Sequence, residues 1–254
     1  MEFEIREILS PDEKELTKIA SLWSDSFGDS LEFICDFYNK MPIHSTVCIF
    51  CKDIPVSMAV LLCVGEGYYG YAVCTHRDYR GKGLCKGIHE YIKEKCQREG
   101  KEYFIHPADE SLEGFYERLG MTTVASCYEV RTVAYENERV RRISASEYAR
   151  IRDLYFGGFR YYPWKSEALS FMEENGTEFL SVEIDGIECA AAREGSVILE
   201  LCAPDHLFGK SASSFLTGGE YLGKVRFLSP PNHLDAPAVM SFSGREVYFN
   251  LFFE

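Results

Sequence analysis

The sequence has no apolar run approaching the ~18–20 residues of a bilayer span, so no membrane helix is expected. Its first residues, MEFEIREIL, are acidic and lack the apolar core of a signal peptide, and the expected location is the cytoplasm. Basic residues are scarce: 27 Lys and Arg stand against 40 Asp and Glu, a net charge of −13. Nucleic-acid binding requires basic stripes and is disfavoured. An acidic surface mainly serves solubility, and mildly favours a cationic substrate such as an amine. Paired metal-ligand spacings are also missing. The ten cysteines are scattered, mostly in apolar runs. Cys48 and Cys51 form a C-x-x-C, but in a strand residues three apart point to opposite faces. No metal site is expected, and without a secretion signal the cysteines read as reduced core thiols.

What is present is an ordinary globular composition: 254 residues, 46% hydrophobic and 26% charged, enough for one or two domains. Residues 3–9 alternate as a strand. Ser10, Pro11 and Glu13 read as cap, first position and capping-box partner of a helix ended by Gly28. A second helix covers 30–40. Strands at 46–51 and 56–63 flank a turn at Asp53-Ile54-Pro55, and Gly65-Glu66-Gly67 leads into a strand at 68–75. The glycine turn Arg80-Gly81-Lys82-Gly83 follows, then a helix with Leu84, Ile88, Tyr91 and Ile92 at helical spacing, stopped by Gly100. A short strand at 103–106, a helix from Asp109 to Leu119 and a strand at 122–134 complete the first half. The charged stretch 135–142 marks a boundary, with domains at 1–135 and 136–254. The second half repeats the element order: helices at 144–159 and 165–174, an Asp185-Gly186 hairpin, a strand at 197–202, a helix at 205–216, and strands at 224–228 and 246–253. The fold class is α/β with a mixed sheet.

The strongest chemical signal is Arg80-Gly81-Lys82-Gly83-Leu84-Cys85. Strand, glycine turn and helix start together present backbone N–H groups at a positive helix end, an anion site suited to a pyrophosphate. The pattern is neither a Walker A loop nor a dinucleotide G-x-G-x-x-G.

Residues 73–121 resemble the GCN5-related N-acetyltransferase (GNAT) superfamily. Arg80, Gly83 and Cys85 fall on the family's R/Q-x-x-G-x-G/A loop, with Cys85 where Gly or Ala is usual. Thr75-His76-Arg77-Asp78-Tyr79 is similar to the V-x-P-x-Y lead-in. Asp109 to Met121 resembles N-x-x-A-x-x-F-Y-x-K-x-G-F, with Asp109 for Asn and Leu112 for Ala. The resemblance implies a GNAT fold followed by a degenerate GNAT-like domain. It implies acetyl-CoA as acyl donor, its pyrophosphate on the amides of Arg80, Gly81, Lys82, Gly83, Leu84 and Cys85. The pantetheine arm would pair with the backbone of Val73, Cys74 and Thr75, and Asp109 would sit near the cofactor. An N–H in that strand would polarise the thioester carbonyl.

The implied reaction is direct attack by the neutral primary amine of a small molecule or amino-acid derivative. Tyr116 stands at the general-acid position, its phenol matched to the leaving thiolate. The base is left open between Glu66, water-mediated abstraction by a Tyr or backbone group, and the carboxylate of Glu254, since the apolar C-terminus should pack rather than fray. His76 and His106 read as structural. In the second half Ala203-Pro204-Asp205 replaces the glycine loop, so that half is expected to bind no CoA. Its aromatics Tyr155, Phe156, Phe159, Tyr161, Tyr162 and Trp164 divide between core and acceptor wall. The alternatives are a non-catalytic acyl-CoA-binding module and transfer of a longer acyl group.

Overall fold

A computed structural model describes residues 2–133, 139–158, 161–216, 222–229, 236–245 and 247–248. Contacts divide the chain into two compact units. One holds the described residues of 1–106, 111–122 and 240–244; the other holds those of 107–110, 123–239 and 245–254. The units are therefore not consecutive stretches, whereas the sequence reading set one boundary after residue 135.

The first unit runs β1 (Glu4–Ile8), α1 (Glu13–Phe27), α2 (Leu31–Lys40), β2 (Ile43–Cys51), β3 (Ile54–Val64), β4 (Gly67–Thr75), α3 (Leu84–Glu99), β5 (Tyr103–Ile105) and α4 (Glu113–Arg118). β1 to β4 pair antiparallel in sequence order, and β5 joins β4 in parallel, so the sheet is mixed as expected. The helices bury the apolar stripes that their spacing demands. Along α3, Leu84, Ile88, Ile92 and Cys96 recur every four residues and pack against Val47, Ile49 and Leu61 of the sheet. In α1, Trp23 is buried to 1% exposure and meets Phe37 of α2 at 5.1 Å and Tyr71 of β4 at 5.5 Å.

Local chemistry corrects the expected boundaries. The cap of α1 is Asp12, not Ser10: its carboxylate accepts from the Glu15 amide at 2.8 Å, and Glu15 accepts from the Asp12 amide at 3.1 Å. The β2–β3 turn is Lys52-Asp53, with φ of 49° and 66°, and Asp53 is held by Lys18 at 3.0 Å and Arg6 at 3.1 Å. Ile54 and Pro55 thus belong to β3 rather than to the turn. The helix expected from Asp109 to Leu119 is a 3₁₀ turn, Glu110–Leu112, followed by the six residues of α4.

The second unit contains β6 (Thr122–Val133, from Thr123 onward), β7 (Arg141–Arg142), α5 (Ala145–Phe156), α6 (Ser166–Glu174), β8 (Glu178–Ile184), β9 (Ile187–Glu194), β10 (Val197–Cys202), α7 (Phe208–Phe215) and β11 (Leu222–Ser229). Its strands lie in the order β6-β11-β10-β9-β8-β7, with β10–β11 parallel and the other pairs antiparallel. At its centre Arg152 and Glu200 are buried at 1% and 0% exposure and joined by two hydrogen bonds of 2.5 and 3.1 Å. The Tyr148 and Tyr248 hydroxyls donate to the same carboxylate at 2.8 and 3.1 Å. Of the expected aromatic group, Trp164 is core, Tyr161 bonds Arg152, and Phe159 lies outside the described residues. A last strand, β12 (Ala236–Ser241), was not expected from the sequence; the strand foreseen at 246–253 lies mostly outside the described residues. Among the described residues, no helix is long and apolar enough to cross a membrane.

Candidate functional site

Three features of the first unit converge on one cavity of about 440 Å³. The first is an open strand edge. β5 ends at Ile105, opposite Gly70, while β4 continues to Thr75. Beyond Gly70, β4 is paired only on its β3 side among the described residues. The second half of β4 is also re-aimed by a bulge. Met58 faces Cys74 and Val60 faces Tyr71, so Ala72 and Val73 together oppose Ala59. Ala72 adopts φ 48°, a left-handed conformation that costs a residue with a Cβ about 1–2 kcal/mol. The irregularity withdraws backbone groups from the ladder beside the cavity, where an extended ligand can pair with them.

The second feature is the start of α3. Gly81 and Gly83 take φ of 74° and 76°, and Gly83 is the N-cap, with no side chain capping the helix. α1, α2, α5 and α6 each carry a glutamate in the first turn; α3 carries none. Its free N–H groups and positive dipole end are therefore left for an external anion. The Arg80 side chain donates to the Thr75 carbonyl at 3.1 Å, tying the loop to the end of β4. Lys82 turns back, donating to the Asp78 carbonyl at 3.1 Å with its ammonium 4.7 Å from the Tyr79 ring centre.

The third feature is α4, which supplies Phe115 and Tyr116 to the cavity wall. Tyr116 is buried to 5% exposure. The His89 ring meets it edge-on, at 5.5 Å and 90°. His89 is itself fully buried, and burial pushes its imidazole down to about 4, so it is neutral at physiological pH.

Of the residues expected at the site, Val73, Cys74, Thr75, Arg80, Gly81, Gly83, Leu84, Cys85 and Tyr116 line this cavity. Lys82 and Asp109 do not. Glu66 is an exposed residue in the turn at the opposite end of β4, roughly 20 Å of strand from Val73. Glu254 lies outside the described residues. Tyr79, Lys86, Leu112 and Phe115 also line the cavity; Lys86 was not singled out from the sequence, and the other three entered only as members of the two flanking motifs. Lys86 had a signal, since it follows Cys85 in the first turn of α3, but its ammonium lies back along the helix, 3.5 Å from Glu90. Burial raises the Cys85 thiol to about 12 and Cys74 to about 11, so neither places negative charge beside the loop. Among the described residues, no group of three His, Cys, Asp or Glu side chains could hold a metal.

The open strand edge and the uncapped helix start thus face one cavity. Residues 4–121, a little under half of the chain, match the model of the Acetyltransferase (GNAT) family. No curated protein matches the chain in sequence. Among solved structures, a conserved protein of Enterococcus faecalis V583 aligns with a TM-score of 0.65 and 10% identity, over 95% of this chain and 72% of its own. A GCN5-related N-acetyltransferase from Kribbella flavida gives 0.59 and 16%, over 94% of this chain and 71% of its own. One from Anabaena variabilis ATCC 29413 gives 0.64 and 9%, over 94% and 72%. At these identities the likeness is one of fold.

Proposed function

We propose that the protein is an acetyl-CoA-dependent N-acetyltransferase acting on a primary amine of a small molecule or amino-acid derivative. The observation that carries this reading is the meeting of the bulged β4 edge, the α3 start and Tyr116 in one cavity within the segment that matches the GNAT family model. The amides from Gly81 to Cys85 hold the pyrophosphate. The pantetheine arm pairs along Val73–Thr75. A backbone N–H released by the bulge polarises the thioester carbonyl, where charge grows as the amine attacks. The tetrahedral adduct collapses with cleavage of the C–S bond, and Tyr116 gives its proton to the departing thiolate. One ammonium proton leaves to water before attack, and the nitrogen gives up a second as the amide forms, which restores the Tyr116 phenol. The second unit, with Pro204 and Asp205 after β10, binds no CoA.

The test is purified protein with acetyl-CoA and a panel of amines, followed by release of free thiol. Thiol release with at least one amine is expected, and Tyr116→Phe should lower kcat about 100-fold while CoA affinity by calorimetry is retained. CoA binding without thiol release for any amine would instead mark a binding module. Faster turnover with longer acyl-CoA donors would reassign the acyl group.

A further inference from the structure

The end of the chain supplies part of the first unit. Residues 240–244 group with it, and Met240 and Ser241 pair antiparallel with Ile105 and Phe104 of β5. Both are fully buried. Met240 packs in the apolar cluster that contains Leu84, Ile88, Tyr103 and Tyr116. Phe242, next in the chain, lies against Tyr103 with ring centres 6.1 Å apart and an angle of 26°. Tyr103 is 5.7 Å from His89, and His89 is 5.5 Å from Tyr116. Four rings thus run in contact from the C-terminal strand to the cavity wall.

Two observations distinguish this stack from ordinary core packing. Both His89 ring nitrogens and the Tyr103 hydroxyl are buried without a hydrogen-bond partner among the described residues. Each such group costs about 1–3 kcal/mol, which a leucine or phenylalanine would avoid. Gly70 of β4 also leaves free the space that the Tyr103 hydroxyl fills, and a Cβ there would overlap it. The sheet is cut back to admit this ring. Meanwhile α4 has only six residues and no side-chain cap, far below the ~12–15 at which a helix holds itself. The direction of Tyr116 must come from what packs on it.

We propose that Met240 and Phe242 are positioning residues of the acyl-transfer site, acting on Tyr116 through Tyr103 and His89. The proposal rests on Tyr116 as the acid of the reaction proposed above. A close-packed interior passes displacements on, and a shift of about 1 Å at a reacting group can cost about 100-fold. The phosphate loop takes no part in the stack, so ligand binding and turnover should separate.

The test uses the full chain with Phe242→Ala and Phe242→Leu. Three quantities are measured: CoA affinity, kcat and KM for acetyl-CoA, and the ring resonances of isotope-labelled histidines. His206, exposed in the second unit, is the internal reference. Phe242→Ala should lower kcat about tenfold or more with KM and CoA affinity within about twofold. His89 signals should move while those of His206 stay, and Phe242→Leu should fall between. Unchanged kcat with unmoved His89 signals overturns the proposal, as does a parallel loss of CoA affinity. If Phe242→Ala does not fold, Phe242→Leu decides by the same criteria. If the wild-type chain transfers no acetyl group, the functional reading fails by itself, and the His89 signals still show whether the last strand holds the stack.

Discussion

Acidification should weaken the first unit through His89, and replacing that one residue should remove the effect. Burial pushes its imidazole from 6.5 down to about 4. Between those values the unfolded chain binds a proton that the folded chain refuses, so stability falls as the pH falls. Each pH unit of difference is worth about 1.4 kcal/mol, so full protonation costs about 3 kcal/mol; at pH 5 about 2 kcal/mol has been lost. Glu7 and Glu99 also lose stabilisation in acid. Burial raises each carboxyl, but hydrogen bonds from Ser45, Lys95 and Tyr91 to Glu7, and from Lys95 and Tyr68 to Glu99, outweigh it and hold both below the usual range. Their loss comes below the ordinary carboxylate value, which pH 5 avoids. The perturbation is His89→Phe, which keeps a ring in the stack and removes both unpaired nitrogens. The assay is urea unfolding at pH 7.5 and 5.0, read by Trp23 fluorescence in a Trp164→Phe background, since the chain has two tryptophans. The wild-type loss between the two pH values should exceed that of His89→Phe by about 2 kcal/mol. At pH 7.5 the variant should be at least as stable, because an unpaired polar group has been replaced by an apolar one. His44, lowered chiefly by burial, is common to both proteins and cancels. Equal pH dependence in the two would refute the reasoning, since it would mean that His89 is paired or hydrated.

Gly83→Glu should abolish measurable CoA binding by calorimetry, because it puts a carboxylate and a Cβ at a φ of 76° on the helix start that is to receive the pyrophosphate. Retained affinity would overturn the loop assignment. Gly70→Ala should destabilise by about 1–3 kcal/mol in thermal or urea unfolding, because its methyl meets the Tyr103 ring, and Tyr103→Phe in the same chain should restore part of the loss. Glu200→Gln should cost the second unit about 3–5 kcal/mol, because Arg152 would be left as a buried cation beside a neutral amide. Unfolding followed by Trp164 fluorescence reads that loss.

Much of the first unit was legible because its signals are local. The glycines at 81 and 83 mark the loop through their backbone freedom, and the four-residue spacing from Leu84 to Cys96 marks the helix behind it. The Asp185-Gly186 hairpin and the Ser144 cap were legible for the same reason. The errors were also local. Ser10 and Asp12 both offer a cap oxygen, and only Asp12 has a glutamate three residues on whose carboxylate reaches back. The bulge at Ala72 was invisible, since alanine carries no mark of a positive φ. Glu66 was close in sequence to the cavity strand, yet it sits at that strand's other end.

The sequence by itself determined a mixed α/β chain, an anion-ready helix start and a tyrosine in the motif after it. Those depend on backbone freedom, periodicity and charge within a few residues. Only the tertiary structure decided that the loop and Tyr116 share a cavity, and that the His89 nitrogens and the Tyr103 hydroxyl lie behind Tyr116 with no hydrogen-bond partner among the described residues. It also decided that β5 is covered by a strand from the far end of the chain. Strand pairing between positions about 135 residues apart leaves no local pattern, because a sheet edge accepts any extended segment whose side chains fit. Pro237, in a proline-rich run, even argues locally against the strand that forms there.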